Sequence, residues 1–151
     1  QCIMAPYQNG KAFMFRISNF SYNQLIEVEA NVNFSWHPKG SPNRSFNLLE
    51  LERNRIDFFP SSWTIVHPIN EGSPLYGKSL AGIKEEDVEI IIKIKAYDPS
   101  SGQMVYARRS YVTNELEWGK KFVMLAEILP DGQRVADLSL LSKTQDAPLP
   151  D

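Results

Sequence analysis

The stretch Ile26–Trp36 reads Ile-Glu-Val-Glu-Ala-Asn-Val-Asn-Phe-Ser-Trp, and it decides the fold class. Its even-numbered positions are all apolar, and its odd-numbered positions are all polar. Side chains of a β-strand alternate between two faces, so this pattern predicts one long strand with a buried face and a solvent face. Two carboxylates, Glu27 and Glu29, fall on the solvent face.

Other apolar or alternating segments lie on both sides of this strand, separated by turn-forming residues. The further strands predicted on this basis are Ile3–Ala5, Ala12–Ile17, a partly exposed strand or hairpin over Phe46–Phe59, Trp63–Ile69, Val88–Tyr97, Gln103–Val112, Phe122–Leu129 and Arg134–Leu138. Pro68 cannot donate a backbone hydrogen bond, so it places Trp63–Ile69 at a strand end or a sheet edge. Many short strands of this kind predict an all-β sandwich.

Short turn signals connect the strands, and one segment favours a helix. Asn9-Gly10 and Asp131-Gly132 predict tight hairpin turns, and Asp98–Gly102 predicts a third turn. In Ser73-Pro74, serine is a typical N-cap and proline a typical first helical residue, so we expect a helix that ends by about Ala81. From Leu141 onward the chain becomes polar and proline-rich.

The composition excludes several classes of protein. The chain has 151 residues, of which 42% are hydrophobic, so one globular domain is expected. The formal net charge of −2 gives no support for a nucleic-acid partner, which selects a basic surface. The single cysteine cannot form an internal disulfide. No apolar run approaches the roughly 18 residues of a membrane helix, and no signal peptide is recognisable. Because the chain opens at Gln1 without an initiator methionine, we read it as a fragment.

No pattern of catalytic or metal-binding residues is present in the sequence. Cys2, His37 and His67 lack the spacing of a zinc site, and His67 is expected to be a satisfied core or turn histidine. There is no Gly-x-Ser-x-Gly elbow and no phosphate-binding glycine loop. The carboxylate pairs are expected to lie on solvated faces, so we predict neither an enzyme nor a bound metal or cofactor. Arg108 and Arg109 are adjacent, so they point to opposite faces of a strand.

Four motifs in order make the chain similar to the cytoplasmic domain of inward-rectifier potassium channels. They are Asn9–Asn19 with its Met-Phe-Arg, the Val-Glu-Ala within Ile26–Asn31, Trp63–Tyr76 with its Thr-Ile-Val-His-Pro-Ile-Asn and Ser-Pro-Leu, and Ala107–Phe122 with its Arg-Ser-Tyr and Glu-x-x-Trp-Gly. The Asp131-Gly132 pair with the later Asp137 resembles the ending seen in prokaryotic members. The likeness covers about residues 3–143, and we assign 1–143 to the domain and 144–151 to a loose C-terminal tail.

The resemblance implies an immunoglobulin-like β-sandwich that forms a homotetramer beneath its own transmembrane pore, at the cytoplasmic face of the cell membrane. Four copies would surround an extension of the potassium pathway, with Glu29 facing it. The turn that corresponds to the family's gating loop consists of Ala96, Tyr97, Asp98, Pro99, Ser100, Ser101 and Gly102. Arg108 matches an arginine tied to that loop and to gating by phosphoinositides, so anionic lipid head groups are implied as partners.

The sequence departs from the family pattern at one pore position. Lys95 stands where eukaryotic members carry a second pathway acid, which puts strong polyamine-dependent rectification in doubt. Asp98 is a candidate to replace that charge and is included with Glu29 as an ion-pathway residue. The alternative to a channel domain is a free-standing immunoglobulin-like binding module. An upstream potassium selectivity filter in the parent sequence would decide between them.

Overall fold

The computed structural model of the chain describes residues 1–151 and consists almost entirely of β-strands. The strands are β1 (Cys2–Tyr7), β2 (Gly10–Ile17), β3 (Ile26–Trp36), β4 (Ser45–Leu48), β5 (Arg55–Phe58), β6 (Trp63–Ile69), β7 (Glu89–Asp98), β8 (Gln103–Val112), β9 (Leu116–Trp118), β10 (Lys120–Phe122), β11 (Ala126–Ile128), β12 (Arg134–Ala136) and β13 (Thr144–Asp146). The single α-helix, α1, is Leu80–Glu85, and two 3-10 helices span Thr113–Glu115 and Leu138–Leu140.

Two main sheets pack against each other. The first sheet has the order β6-β2-β1-β9, in which β9 runs parallel to β1 and the other pairs are antiparallel. The second sheet has the order β4-β3-β7-β8, and β5 also pairs with β3. Two small two-stranded sheets, β10-β13 and β11-β12, complete the fold. The predicted all-β sandwich with one short helix is confirmed.

The core between the main sheets is made by the apolar faces that the alternation predicts. Val28, Val32 and Phe34 of β3 are completely buried, and they belong to one cluster with Phe13 and Ile65 of the first sheet. Burying one such side chain stabilises the fold by roughly 1.5–3 kcal/mol relative to leaving it exposed. The hydrophobic core therefore fixes which face of β3 points inward and leaves the other face towards solvent.

The first sheet is buried on its second face as well. Ile3, Ala5 and Ala12 point away from the main core, yet each is at most 1% exposed. The N–H of Gly119 donates to the carbonyl of Met4 at 2.9 Å, which holds the start of the C-terminal strands against β1. Arg16, on the same face of β2 as Ala12, donates hydrogen bonds to the carbonyls of Val123, Leu140 and Leu141, so the last part of the chain covers this face.

Several predicted elements have the predicted bounds. β3, β6 and β8 have the predicted ranges, and β7 is displaced by a single residue. β7 and β8 form an antiparallel hairpin in which Asp98 pairs with Gln103. β6 is an edge strand, as Pro68 requires.

The first hairpin turn is one residue earlier than predicted. Tyr7 pairs with Gly10, so the two turn residues are Gln8 and Asn9 rather than Asn9 and Gly10. Gln8 takes a φ of +49°. A two-residue hairpin needs a positive φ at its first central position, and in this chain the register of the buried strands imposes it on glutamine.

The segment Phe46–Phe59 is neither one strand nor a hairpin. β4 and β5 both pair antiparallel with β3, β4 along Asn33–Trp36 and β5 along Ile26–Glu29. The two strands therefore follow the same edge of β3 one after the other. The intervening residues leave the edge, and Leu49 is buried in the core.

The helix begins later than the sequence predicts. Ser79, not Ser73, is the N-cap, and its side chain accepts a hydrogen bond from the N–H of Gly82 at 3.1 Å. Ser73 is instead hydrogen-bonded to His67, and Gly77 has a φ of +69°, which no right-handed helix contains. The correct N-cap signal was a second serine in the same segment.

The C-terminal part differs from the prediction in two places. The predicted strand Phe122–Leu129 is divided into β10 and β11, which pair with different partners. The predicted loose tail 144–151 contains β13, which pairs with β10, and the N–H of Ala147 donates to the carbonyl of Gly119 at 2.9 Å. Leu149 packs against the core, so apolar contacts hold this segment despite its prolines.

Candidate functional site

The solvent-exposed side of the second sheet, which carries Glu29, Lys93, Lys95 and Arg108, is termed the polar face. The register of β3 and β7 places Glu29 opposite Lys95, and the Lys95 Nζ lies 3.8 Å from Glu29 Oε2. The amide of Asn31 donates to Glu29 Oε1 at 3.1 Å. This hydrogen bond, with the charge of Lys95, lowers the pKa of the Glu29 carboxyl. Glu29 is thus ionised and on the solvent side, as predicted, but it is paired with a cation.

A β-bulge precedes Glu29 on the same strand. The pairing of β3 with β7 shifts between Ile26 and Glu29, and Glu27 has a φ of +49°. Glu27 turns towards β5, where its Oε1 lies 3.4 Å from an Arg55 nitrogen. Both carboxylates that the alternation predicts on the solvent face are therefore matched by a basic side chain of a neighbouring strand.

The turn Ala96–Gly102 is organised by the carboxylate of Asp98. Its Oδ1 accepts hydrogen bonds from the N–H and the hydroxyl of Ser100, at 3.0 and 2.7 Å. Its Oδ2 accepts from the Ser101 hydroxyl at 3.0 Å and from the Asn23 amide at 3.3 Å. These hydrogen bonds lower the pKa of Asp98, and the bond from the Ser100 side chain has the largest effect. Asp98 is 7% exposed, so its charge points into the turn and not, within one chain, to solvent.

The other residues of this turn are placed by the hairpin. Ala96 is buried in the core and Tyr97 is half-buried, whereas residues 99–102 are exposed. Gly102 has a φ of +67°, a conformation that glycine adopts without strain. The bond from Asn23 connects the turn to the loop between β2 and β3.

Arg108 and Arg109 occupy opposite faces of β8, as predicted. Arg108 is paired with Lys93 on the polar face, and no carboxylate lies within 4.0 Å of it. Arg109 lies over the Tyr111 ring, at 5.0 Å from its centroid, and 3.5 Å from Glu115 Oε1. Arg108 is five residues along β8 from Gln103, and within one chain it makes no side-chain hydrogen bond or ion pair with the turn Ala96–Gly102, to which the resemblance ties it.

The comparison with known families decides what this sandwich is. The family described as "Inward rectifier potassium channel C-terminal domain" matches residues 1–151. The chain belongs to this family. The family is one of ion channels, so the absence of a catalytic pattern has a simple explanation.

Individual relatives of this channel domain come from bacteria and mammals. The inward rectifier potassium channel Kirbac3.1 of Paramagnetospirillum magnetotacticum is 31% identical over 90% of the chain, which corresponds to 47% of that protein. The human ATP-sensitive inward rectifier potassium channel 8 is 28% identical over 78% of the chain, or 30% of its own length. The mouse ATP-sensitive inward rectifier potassium channel 12 is 27% identical over 93% of the chain, or 35% of its own length. The chain thus spans less than half of each relative, and none of its helices is long and apolar enough to cross a membrane.

Two interactions inside the channel domain connect the first sheet to other segments of the chain. His67 is 3% exposed. Its Nδ1 lies 2.6 Å from the Glu50 carbonyl oxygen, and its Nε2 lies 2.7 Å from the Ser73 hydroxyl. The prediction of a core histidine with satisfied hydrogen bonds is therefore confirmed. Burial lowers the pKa of His67. No three His, Cys, Asp or Glu side chains lie together as a metal site would require.

The second interaction is centred on Arg16, a residue that the sequence marks only through the Met-Phe-Arg motif. The guanidinium donates four hydrogen bonds, at 2.7–2.9 Å, to the carbonyls of Val123, Leu140 and Leu141. It also lies 4.5 Å from the centroid of the Phe122 ring. One side chain of β2 therefore fastens the C-terminal third of the chain to the first sheet.

Proposed function

We propose that this chain is the cytoplasmic domain of an inward-rectifier potassium channel, at the inner face of the cell membrane. Four copies surround an extension of the potassium pathway, and the rest of the full-length protein supplies the transmembrane pore. The observation that carries the proposal is the family match over residues 1–151. Relatives with potassium channel names, each more than twice as long as the matched region, support it.

The polar face is the surface that we assign to the ion pathway. It is the uncovered side of the longest strand, β3, and it carries the ionised Glu29. Lys95 compensates that carboxylate at 3.8 Å, so the face attracts internal cations less strongly than an unpaired ring of acids would. Weak block by internal polyvalent cations, and hence weak rectification, is the expected behaviour.

The turn Ala96–Gly102 is proposed to narrow the pathway and to take part in gating. Its conformation is held by the buried Asp98 carboxylate, so Asp98 is assigned to the shape of the gate as well as to the pathway. The Asn23 bond would transmit a displacement of the β2–β3 loop to this turn. Anionic lipid head groups, phosphoinositides included, are proposed as regulators that act with Arg108, and no resident cofactor is required.

Two substitutions with opposite expected effects test the assignment of the polar face. In the full-length channel, Glu29→Gln leaves Lys95 uncompensated in every subunit and weakens block by internal Mg²⁺. Lys95→Gln frees the Glu29 carboxylate and strengthens that block, while the double variant returns towards wild type. Block is measured by voltage clamp over a range of internal Mg²⁺, with Lys121→Gln as a control because Lys121 is exposed and makes no ion pair. Equal block in all variants would show that this face is not in the pathway.

Assembly is tested separately on the detergent-solubilised full-length protein. Light scattering is expected to give the mass of four chains, and a monomeric particle would contradict the proposal. A gene that encodes no membrane-spanning segments next to this domain would favour the alternative, a free-standing binding module.

A further inference from the structure

A cavity opens at the end of the sandwich that lies away from the turn Ala96–Gly102. Its volume is about 750 Å³, and small-molecule sites in proteins occupy roughly 300–1,000 Å³. Ile69, the last residue of β6, and Lys11, which is opposite it on β2, both line the cavity. The other end of β2 leads into the loop whose Asn23 bonds to the turn. The cavity is therefore separate from the polar face and from the proposed gate.

The walls of the cavity are apolar and aromatic. Leu75 is 3% exposed, and Ile69, Leu80 and Trp118 pack against the same hydrophobic cluster. Tyr76 lines the cavity as well, and it is 55% exposed. Aromatic rings make favourable offset-stacked or edge-to-face contacts with other rings. A ligand with a flat aromatic body therefore suits this cavity.

The two aromatic walls are held in place by the backbone. The N–H of Tyr76 donates to the carbonyl of Ser73 at 3.0 Å. Trp118 lies on β9, where it is the partner of Met4 on β1. A ligand consequently meets walls that are already formed, and binding does not require these segments to become ordered.

The free polar groups of the lining are hydrogen-bond donors. The Lys11 ammonium has no carboxylate within 4.0 Å. The Tyr76 hydroxyl and the Trp118 indole N–H make no hydrogen bond within the chain. The second lysine of the lining, Lys78, is by contrast paired with Glu86 at 2.6 Å. Free donors of this kind are complementary to a carboxylate, which accepts hydrogen bonds at both oxygens.

The charges of the lining limit how much negative charge a ligand can carry. Asp151 is the one acidic residue that lines the cavity, and it is exposed. Its charge offsets that of Lys11, because Lys78 is already paired. The balance favours a ligand with a single negative charge over a phosphate monoester, which carries close to two at neutral pH.

We propose that this cavity binds a small aromatic carboxylate. The ring packs against Trp118 and Tyr76, and the carboxylate accepts a charge-assisted hydrogen bond from the Lys11 ammonium. The site is independent of the proposed channel function, since none of its residues belongs to the polar face or to the turn Ala96–Gly102.

Three probes separate the contribution of the ring from that of the charge. The first is 2-naphthoate, the second is 2-naphthamide, which keeps the ring without the charge, and the third is octanoate, which keeps the charge without the ring. Binding to the ¹⁵N-labelled chain is followed by amide chemical shifts. Saturable shifts in residues 9–11, 75–80 and 116–118 are expected with 2-naphthoate, and the other two probes should bind at least about fivefold more weakly.

Substitutions decide whether the lining residues are responsible. Lys11→Gln is expected to weaken binding of 2-naphthoate about fivefold and to leave 2-naphthamide unchanged, because only the charged probe uses the ammonium. Tyr76→Ala should weaken both probes, and Asp151→Asn should strengthen binding of 2-naphthoate. The matched control is Lys121→Gln, which removes an exposed lysine outside the lining. The amide spectrum shows whether each variant is folded, and Lys11→Arg, which keeps the charge, should retain binding.

Three results would overturn the proposal. The first is the absence of saturable shifts at millimolar 2-naphthoate, and the second is equal binding by the Lys11→Gln and Lys121→Gln variants. The third is binding of octanoate as tight as that of 2-naphthoate, since the ring would then contribute nothing. None of these results would affect the proposed channel function, which depends on other residues.

Discussion

Replacing Arg16 by methionine is expected to destabilise the whole chain, because this one side chain saturates three backbone carbonyls. Its four hydrogen bonds reach Val123, Leu140 and Leu141. A hydrogen bond to a charged group is worth about 1.5–3 kcal/mol when it is buried. The site is only partly buried, so water can replace some of the lost bonds, and we take about 1 kcal/mol for each carbonyl.

The expected loss is therefore about 3 kcal/mol of the free energy of unfolding, out of the roughly 5–15 kcal/mol that a domain possesses. For a chain of this length that corresponds to a Tm lower by about 6–12 °C. Urea unfolding followed by tryptophan fluorescence measures the free energy of unfolding, and thermal unfolding followed by circular dichroism measures the Tm. Hydrogen exchange should accelerate most in residues 120–147, because these lose their attachment to β2.

The matched control is Arg53→Met, since Arg53 is exposed and its side chain makes no ion pair. It is expected to change stability by less than about 0.5 kcal/mol. Arg16→Lys keeps the charge but loses the fork, so its loss of stability should fall between those of wild type and Arg16→Met. Equal stabilities of the Arg16→Met and Arg53→Met variants would refute the view that carbonyl saturation holds the C-terminal strands.

Three further outcomes are expected of the isolated chain. Burial lowers the pKa of His67, so the unfolded state binds a proton more readily, and the free energy of unfolding should fall as pH drops below about 6.5. In urea titrations the His67→Gln variant should show a weaker pH dependence than wild type, whereas the control His37→Gln should not. Burial raises the pKa of the Cys2 thiol to about 12, so a thiol reagent at pH 8 should label it only after unfolding, and rapid labelling of the native chain would contradict the packing of β1. Ser79→Ala removes the N-cap of α1 and should cost about 1 kcal/mol in the same urea assay, a result that an unchanged midpoint would exclude.

The long strands were predictable because their burial imposes a strict period. β3 and the β7–β8 hairpin follow from alternation alone, since a one-residue slip would move every apolar side chain of Ile26–Trp36 to the solvent face. Short elements contain too few residues for a repeated pattern of this kind to define their bounds. Ser73-Pro74 and Ser79 are both acceptable helix starts, and the choice depends on the contact between Ser73 and His67, which forms only when β6 is in place.

The site was predictable in part for the same reason. Alternation puts Glu29 on the solvent face, but its partner Lys95 is 66 positions later and is identified only by the register of β3 with β7. The carbonyl partners of Arg16 are more than 100 positions away and carry no sequence signal at all, because every residue has a carbonyl. The inward orientation of Asp98 likewise depends on the closed geometry of its turn.

The position of β8 has a consequence for the chain outside an assembly. β8 is a ten-residue edge strand, and Met104, Val105 and Tyr106 on it are all at least 36% exposed. An open edge with this composition is a template for strand addition and aggregation. The adjacent arginines, Arg108 and Arg109, place one positive charge on each side of the strand, so a second β8 that approached this edge would meet a like charge on either face. Like charges of this kind are expected to oppose the addition of a second β8 strand, most strongly on the Arg108 side, because Glu115 lies 3.5 Å from Arg109.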